Sequence, residues 1–188
     1  MNRLEATRRL VKHLADEIVI ANLGNASWDL QTAAERPQNY YSMGSMGLVS
    51  SMGLGMALAQ PQRKVVILDG DGSLLMNLGS LATIAVVAPP NLIHVVWDNE
   101  QFQLTGGQKT HTARGVDLAG IARNAGFRHL LEPRDEDEFE AACIEALSNE
   151  GPWFLLAKVA PEPSQARILW DPVLLKYDFM RGIGTLAP

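Results

Sequence analysis

The sequence has little cysteine. One residue, Cys143, occurs among 188, which excludes an internal disulfide and an iron–sulfur or cysteine-rich zinc site built from this chain alone. No run reaches the roughly 18 apolar residues that a membrane-spanning helix needs. The first 17 residues carry charge throughout and lack the apolar stretch of a secretory signal, so a cytoplasmic protein without membrane association is expected. Excess positive charge is also missing. The formal net charge of −5 argues against a nucleic-acid partner. There is no internal repeat, no GxxxxGK[ST] loop and no GxGxxG turn, which leaves a magnesium–nucleotide module without its usual motifs. What is present is globular composition, 47% hydrophobic and 20% charged, in a chain long enough for one domain with its own core.

Periodicity and punctuation predict helices over 2–15 (Leu4, Leu10, Val11 and Leu14 on one side), the second half of 43–60, 73–88, 117–126 and 134–149. Strands are expected over 17–24, 64–70, 92–99, 128–131 and 153–160. "KVVILDG" (64–70) is continuously apolar, as a strand covered on both faces should be. Asp117 reads as a helix N-cap and Gly126 as the residue past that helix's end. Phe139, Cys143, Ala146 and Leu147 read as the inner side of the next helix, whose acidic first turn (Asp135 to Glu138) suits the helix dipole. Residues 101–115 read as a polar loop, and 161–188 as a proline-containing C-terminal tail. Strands alternating with helices predict an α/β fold: a three-layer open sheet, mostly parallel, with helices on both faces. One domain, 1–188 including the tail, accounts for the chain.

In such a sheet, ligands bind beyond the carboxyl ends of the strands. Two of those ends carry unusual residues. At Gly70-Asp71-Gly72-Ser73, the glycines let backbone N–H groups approach an anion, and the following helix start favours it. That suits phosphate, yet a carboxylate in a phosphate cradle is repelled unless a cation lies between. Magnesium fits, because it takes few protein oxygens and leaves its other positions to phosphate and water. Asn99 stands 28 positions after Asp71 and ends the next strand, so the two could share a metal, with the backbone carbonyl of Gln101 as a third oxygen. A lone GDG is also an ordinary tight turn, and Asp-Asn ends many strands. Finding both at adjacent strand ends is what points to a metal.

These stretches resemble the thiamine diphosphate motif: GDG, some 25–30 residues, then a pair ending in Asn. "YYSMGSMGLVSSMGLGMALA" (40–59) is similar to the segment that meets the cofactor's pyrimidine, and "LTGGQKTHT" (104–112) to the loop after the Asn in phosphonopyruvate and sulfopyruvate decarboxylases. The chain is therefore identified as a member of the thiamine diphosphate-dependent enzymes, resembling the diphosphate-binding domain with its thiamine diphosphate-binding fold, over about residues 10–160. The length matches the beta subunit of a two-chain sulfopyruvate decarboxylase. The resemblance implies Asp71, Asn99 and Gln101 as magnesium ligands. It implies Gly70, Gly72 and Ser73 around the diphosphate, and Gly44 and Ser45 beside the pyrimidine, with the Gly44 carbonyl accepting from its amine. Met46 becomes the apolar wedge that bends the cofactor and so acts in catalysis. Asp98 departs from the commoner Asn-Asn pair, and its side chain is expected to point away from the metal.

The same resemblance implies decarboxylation of a small 2-oxo acid, the cofactor holding the electron pair left when CO2 departs. Family members also use a glutamate from a pyrimidine-binding domain. Glu5, Glu17 and Glu35 lie outside any matching motif, so a partner subunit is expected to carry it, with self-association expected of the isolated chain. Two other readings stand: the beta subunit of a 2-oxo acid ferredoxin oxidoreductase, and a non-catalytic cofactor-binding scaffold. The remaining candidates read as structural. His94 and Cys143 suit a core; Met43, Met52 and Met56 suit packing; Trp28, Trp97, Trp153 and Trp170 suit core or interface. Lys109, His111 and Arg114 suit exposed loop charge, with an anionic substrate tail as the alternative. Asn22, Gly24 and Asn25 could border the cleft.

Overall fold

The computed structural model describes residues 1–168 and 170–186. Its strands, in chain order, are β1 (Ile18–Ala21), β2 (Asn39–Tyr41), β3 (Val65–Gly70), β4 (Leu92–Asp98), β5 (Gln101–Phe102), β6 (Gln108–Lys109), β7 (His129–Leu131) and β8 (Trp153–Lys158). Six of them form one sheet in the order β2-β1-β3-β4-β8-β7, with every neighbouring pair parallel. β5 and β6 make a separate antiparallel ribbon. The helices are α1 (Arg3–Val11), α2 (Asn25–Ala33), α3 (Val49–Ala59), α4 (Asp71–Leu75), α5 (Gly79–Val87), α6 (Leu118–Ala125), α7 (Glu136–Ser148) and α8 (Pro172–Gly182). The three-layer parallel α/β architecture is the expected one.

Strand side chains alternate between two cores. Val66, Leu68, Ile93, Val95 and Trp97 pack with Ala6 and Leu10 of α1, Leu30 of α2 and Phe139 of α7. Ile67, Leu92 and Val96 pack with Val49 of α3, Ile84 of α5 and Leu118 of α6. Because both faces are covered, β3 is buried from Val65 to Asp69, and its sequence needs no polar alternation. A Cβ on Gly53 would lie 2.3 Å from the Ile67 side chain, so glycine there sets how closely α3 approaches β3. The expected caps are present: Asp117 accepts from the Gly120 amide, Asp135 from the Glu138 amide, and Gly126 is left-handed. Cys143 is buried, which pushes its thiol pKa well up.

Several stretches differ from the sequence reading, among them 101–115, read as a polar loop, which holds the β5–β6 ribbon. The single helix expected over 73–88 is two, α4 and α5. The Asn77 amide donates to the Gly47 carbonyl at 3.0 Å, and its own carbonyl accepts from Ser80, which stabilises the break. α2 and β2 lie in a stretch given no element, because the buried side of α2 carries Ser27 and Asp29 and hides the apolar period. The tail expected over 161–188 contains α8, which starts at an Asp171 cap with Pro172 in the first turn. Phe179 joins the core, and the Trp170 ring stacks on Tyr41 at 5.0 Å. No helix of the described residues is long and apolar enough to cross a membrane.

Candidate functional site

The strand order reverses between β1 and β3, and a cleft opens there beyond the carboxyl ends of the strands. Asn22 enters it after β1, Gly70 to Ser73 after β3, and Asn99 and Gln101 after β4, with Met46 arriving from the segment before α3. Seven of the expected site residues thus share one cleft: Met46, Gly70, Asp71, Gly72, Ser73, Asn99 and Gln101. Gly44 and Ser45 do not line it; both are exposed, and the Gly44 carbonyl accepts from Ser42 Oγ at 2.6 Å. Ser45 holds φ at 58°, a left-handed conformation costing on the order of 1 kcal/mol for serine. The segment is fastened at Gly47, whose amide donates to Ser73 Oγ at 3.0 Å. Ser73 keeps its own hydroxyl proton to donate.

Asp71 is 2% exposed, and no basic side chain pairs with it among the described residues. One oxygen, Oδ2, accepts from Thr110 Oγ1 at 2.5 Å and contacts Thr112 Oγ1 at 3.0 Å. Thr112 also donates to Asp98 Oδ1 at 2.8 Å and lies 2.9 Å from Thr110 Oγ1. Two hydroxyl protons cannot serve all four contacts, whereas a proton on Asp71 would add a third. Burial pushes the Asp71 carboxyl up to about 6, helped by the nearby Asp98 charge and opposed by the threonine and Gly72 hydrogen bonds. Such a carboxyl favours an added cation, which would draw it back to its ionised form. On the next residue, a Cβ on Gly72 would lie 2.4 Å from the Phe102 ring, so only glycine lets the β5 loop close over the turn.

The other two expected metal ligands, Asn99 and the Gln101 carbonyl, offer oxygens of amide type. Asn99 Oδ1 accepts from the Gln101 amide at 3.1 Å, and Asn99 Nδ2 donates to Gln103. Among the described residues, no three His, Cys, Asp or Glu side chains gather into a metal-binding group. A metal here would rest on one carboxylate, amide and carbonyl oxygens, and the oxygens of a bound phosphate, a hard donor set that suits Mg²⁺. Asp98 does not line the cleft. It is held away by Thr112 and by Lys158 Nζ at 2.8 Å.

Behind the turn, Asp69 Oδ1 accepts from the Gly70 amide at 2.8 Å and Oδ2 faces His94 Nε2 at 3.3 Å, with both side chains fully buried. His94 is a core residue packed edge-on against Phe154, as its apolar strand suggested. Lys109, His111 and Arg114 are exposed and lie outside the cleft lining, whereas Asn22 and Asn25 belong to it. The sequence reading missed Thr110, Thr112, Phe102 and Arg3. The signal for the first two was the T-x-T spacing just after β6, where the chain turns through a helical His111 into a 3-10 turn that begins at Thr112 and brings the two hydroxyls to 2.9 Å. Thr112→Val should leave Asp98 Oδ1 short of a donor and cost about 1–2 kcal/mol, read as a lower midpoint in chemical denaturation. An unchanged midpoint would show the clip to be energetically silent.

Residues 22–157 match the model of the thiamine pyrophosphate enzyme C-terminal TPP-binding domain. The chain is 40% identical over 183 residues to sulfopyruvate decarboxylase subunit beta from Methanocaldococcus jannaschii, covering 96% of both chains. It is 41% identical over 160 residues to phosphonopyruvate decarboxylase from Streptomyces viridochromogenes, covering 85% of this chain and 40% of that one. Benzoylformate decarboxylase from Polynucleobacter necessarius superposes with a TM-score of 0.69 at 20% identity, over 87% of this chain and 33% of that one, a likeness of fold alone.

Proposed function

The chain belongs to the thiamine pyrophosphate enzyme family through its C-terminal-type TPP-binding domain, and from that membership we propose that it is the diphosphate-binding subunit of a thiamine diphosphate-dependent 2-oxo acid decarboxylase. Sulfopyruvate or phosphonopyruvate is the substrate favoured by the relatives' names. The observation that carries the reading is the buried Asp71, unpaired by any base, in a cleft with Asn99, Gln101 and Met46. Asp71, Asn99 and the Gln101 carbonyl would hold Mg²⁺. Gly70, Gly72 and Ser73 would bind the diphosphate, the glycine at 72 allowing its close approach. When bound, thiamine diphosphate supplies the carbanion chemistry, taking up the electron pair released with CO2.

The chain's own part is to anchor and orient. Met46, half-buried on the cleft wall, supplies apolar bulk beside the reacting end and excludes water there. Gly44 and Ser45, exposed on the segment that carries Met46, would meet the pyrimidine of a cofactor reaching out toward another chain. A glutamate from a pyrimidine-domain partner would complete the site, a reading supported by the relative that is itself named a beta subunit and that this chain covers almost entirely.

Calorimetric titration tests the cofactor assignment: thiamine diphosphate with Mg²⁺ should bind, and ATP or NAD should not. Met46→Ala should lower turnover of the assembled enzyme about tenfold or more while moving the cofactor dissociation constant little, because the diphosphate anchor is untouched. Normal turnover with weakened cofactor binding would contradict the role given to Met46.

A further inference from the structure

Arg3 is the one basic side chain lining the cleft among the described residues. It is 7% exposed, and a buried guanidinium needs a reason. Its Nε donates to Asp29 Oδ2 at 2.7 Å, and Nη2 donates to the Glu162 carbonyl at 3.1 Å. Among the described residues Nη1 has no acceptor, which leaves its two N–H donors without a protein partner there. Asp29 and Glu162, which hold the Nε and Nη2 edges and fix the guanidinium plane, border a second, smaller pocket that Arg3 also lines, so Arg3 stands between that pocket and the cleft.

Other donors on the same wall also lack acceptors. Trp97 lines the cleft at 3% exposure, and its indole N–H has no partner. α2 begins beside Arg3, and its N-cap Gly24 offers no side-chain acceptor to the first amides, while Asn25 and Ala26 line the cleft. Asp29 Oδ1 on the far side of Arg3 is buried without a donor, whereas on the cleft side it is donors that lack acceptors, and an anion there would meet them. On the reading above, the anion in this cleft is a diphosphate. A diphosphate and an ionised Asp71 together carry more negative charge than one Mg²⁺ offsets.

We infer that Arg3, held by Asp29, is a second anchor for the cofactor's diphosphate, acting from the α1–α2 wall without the metal as intermediary. The inference rests on the proposed cofactor site, but it can fail separately from it.

Inorganic pyrophosphate is the probe, because every group assigned to the diphosphate lies on this chain and neither catalysis nor a partner is needed. Arg3→Gln alone would leave Asp29 buried and uncompensated. The double variant Arg3→Gln/Asp29→Asn removes both charges together and keeps side chains that can hydrogen-bond each other. With saturating Mg²⁺, calorimetry should show it binding pyrophosphate about tenfold more weakly than the wild-type chain, as expected for loss of a charge-assisted contact. In chelator, pyrophosphate should still raise the melting temperature of the wild-type chain and of Asp71→Asn. Those chelator measurements stand even if the double variant does not fold.

A folded double variant with wild-type affinity, or no pyrophosphate stabilisation of the wild-type chain in chelator, would overturn the role of Arg3. If instead Asp71→Asn binds pyrophosphate with Mg²⁺ as tightly as the wild-type chain, the metal site fails and the Arg3 anchor stands.

Discussion

Asp71→Asn is expected to weaken Mg²⁺-dependent thiamine diphosphate binding at least tenfold, about 1.4 kcal/mol, and to make the chelator-treated protein more stable at pH 8. Both effects come from one buried carboxyl. Its pKa in the folded chain is raised from the ordinary 3.8 to about 6, burial being the largest cause. The folded protein therefore binds a proton more tightly than the unfolded chain does. Stability from this group is fully present below pH 4 and is lost as pH rises through 6. By pH 8 the loss is on the order of 3 kcal/mol, which corresponds to about 6–12 °C in a chain of this size.

Asparagine keeps the shape of the protonated carboxyl and has no charge to desolvate. The variant should melt higher than wild type at pH 8, and the gap should close toward pH 4. Metal reverses the sign for the wild type: Mg²⁺ binds the ionised form, so its affinity should fall roughly tenfold per pH unit below 6 as a proton competes. Melting curves across pH, with chelator and with Mg²⁺, check all of this. A chelator-treated Asp71→Asn that melts below wild type at pH 8 would mean the carboxylate is already satisfied by the protein.

The layered parallel fold was legible because its strands are buried on both faces. A run such as Val65-Val66-Ile67-Leu68 has few alternatives, and Asp117 with Gly126 brackets α6 on its own. That Asp71, Asn99 and Gln101 share one cleft was legible for a related reason. Glycines around a carboxylate at a strand end have little structural use, and the fold sends the next strand's end alongside. What stayed hidden depends on contacts between distant residues. Thr110 matters because it lies over Asp71, 39 positions away, and Arg3 because Asp29 and Glu162 fold against it. α2 was hidden because its inner face is polar: Ser27 donates back to the Asn22 carbonyl, and Asp29 pairs with Arg3. α8 was hidden behind prolines that read as tail punctuation, although Asp171-Pro172 is a helix-start signal.

The second large effect concerns the chain by itself. Freed of any other polypeptide, it should release no CO2 from sulfopyruvate or phosphonopyruvate, even with thiamine diphosphate and Mg²⁺ present. The assigned anchors serve only the diphosphate end. Met43, Gly44, Ser45 and Leu48, on the segment that carries Met46, are exposed. No glutamate lines the cleft among the described residues, so nothing there can serve the pyrimidine ring nitrogen. The chain should still fold alone, because its two cores are closed by its own helices. Circular dichroism and a cooperative melt would verify that an inactive sample is a folded one. Decarboxylation by a sample of proven purity would remove the need for a partner.

Reconstitution tests the half-site claim most directly. The chain and the subunit that co-purifies with it from the native source are mixed in increasing ratio, with thiamine diphosphate and Mg²⁺, and CO2 release from a 2-oxo acid is followed. Activity should be absent from either protein alone, appear on mixing, saturate at a fixed ratio, and vanish again when the partner's pyrimidine-facing glutamate is replaced. Turnover of about 1 per second or more by this chain alone, an ordinary enzymatic rate, would contradict the account.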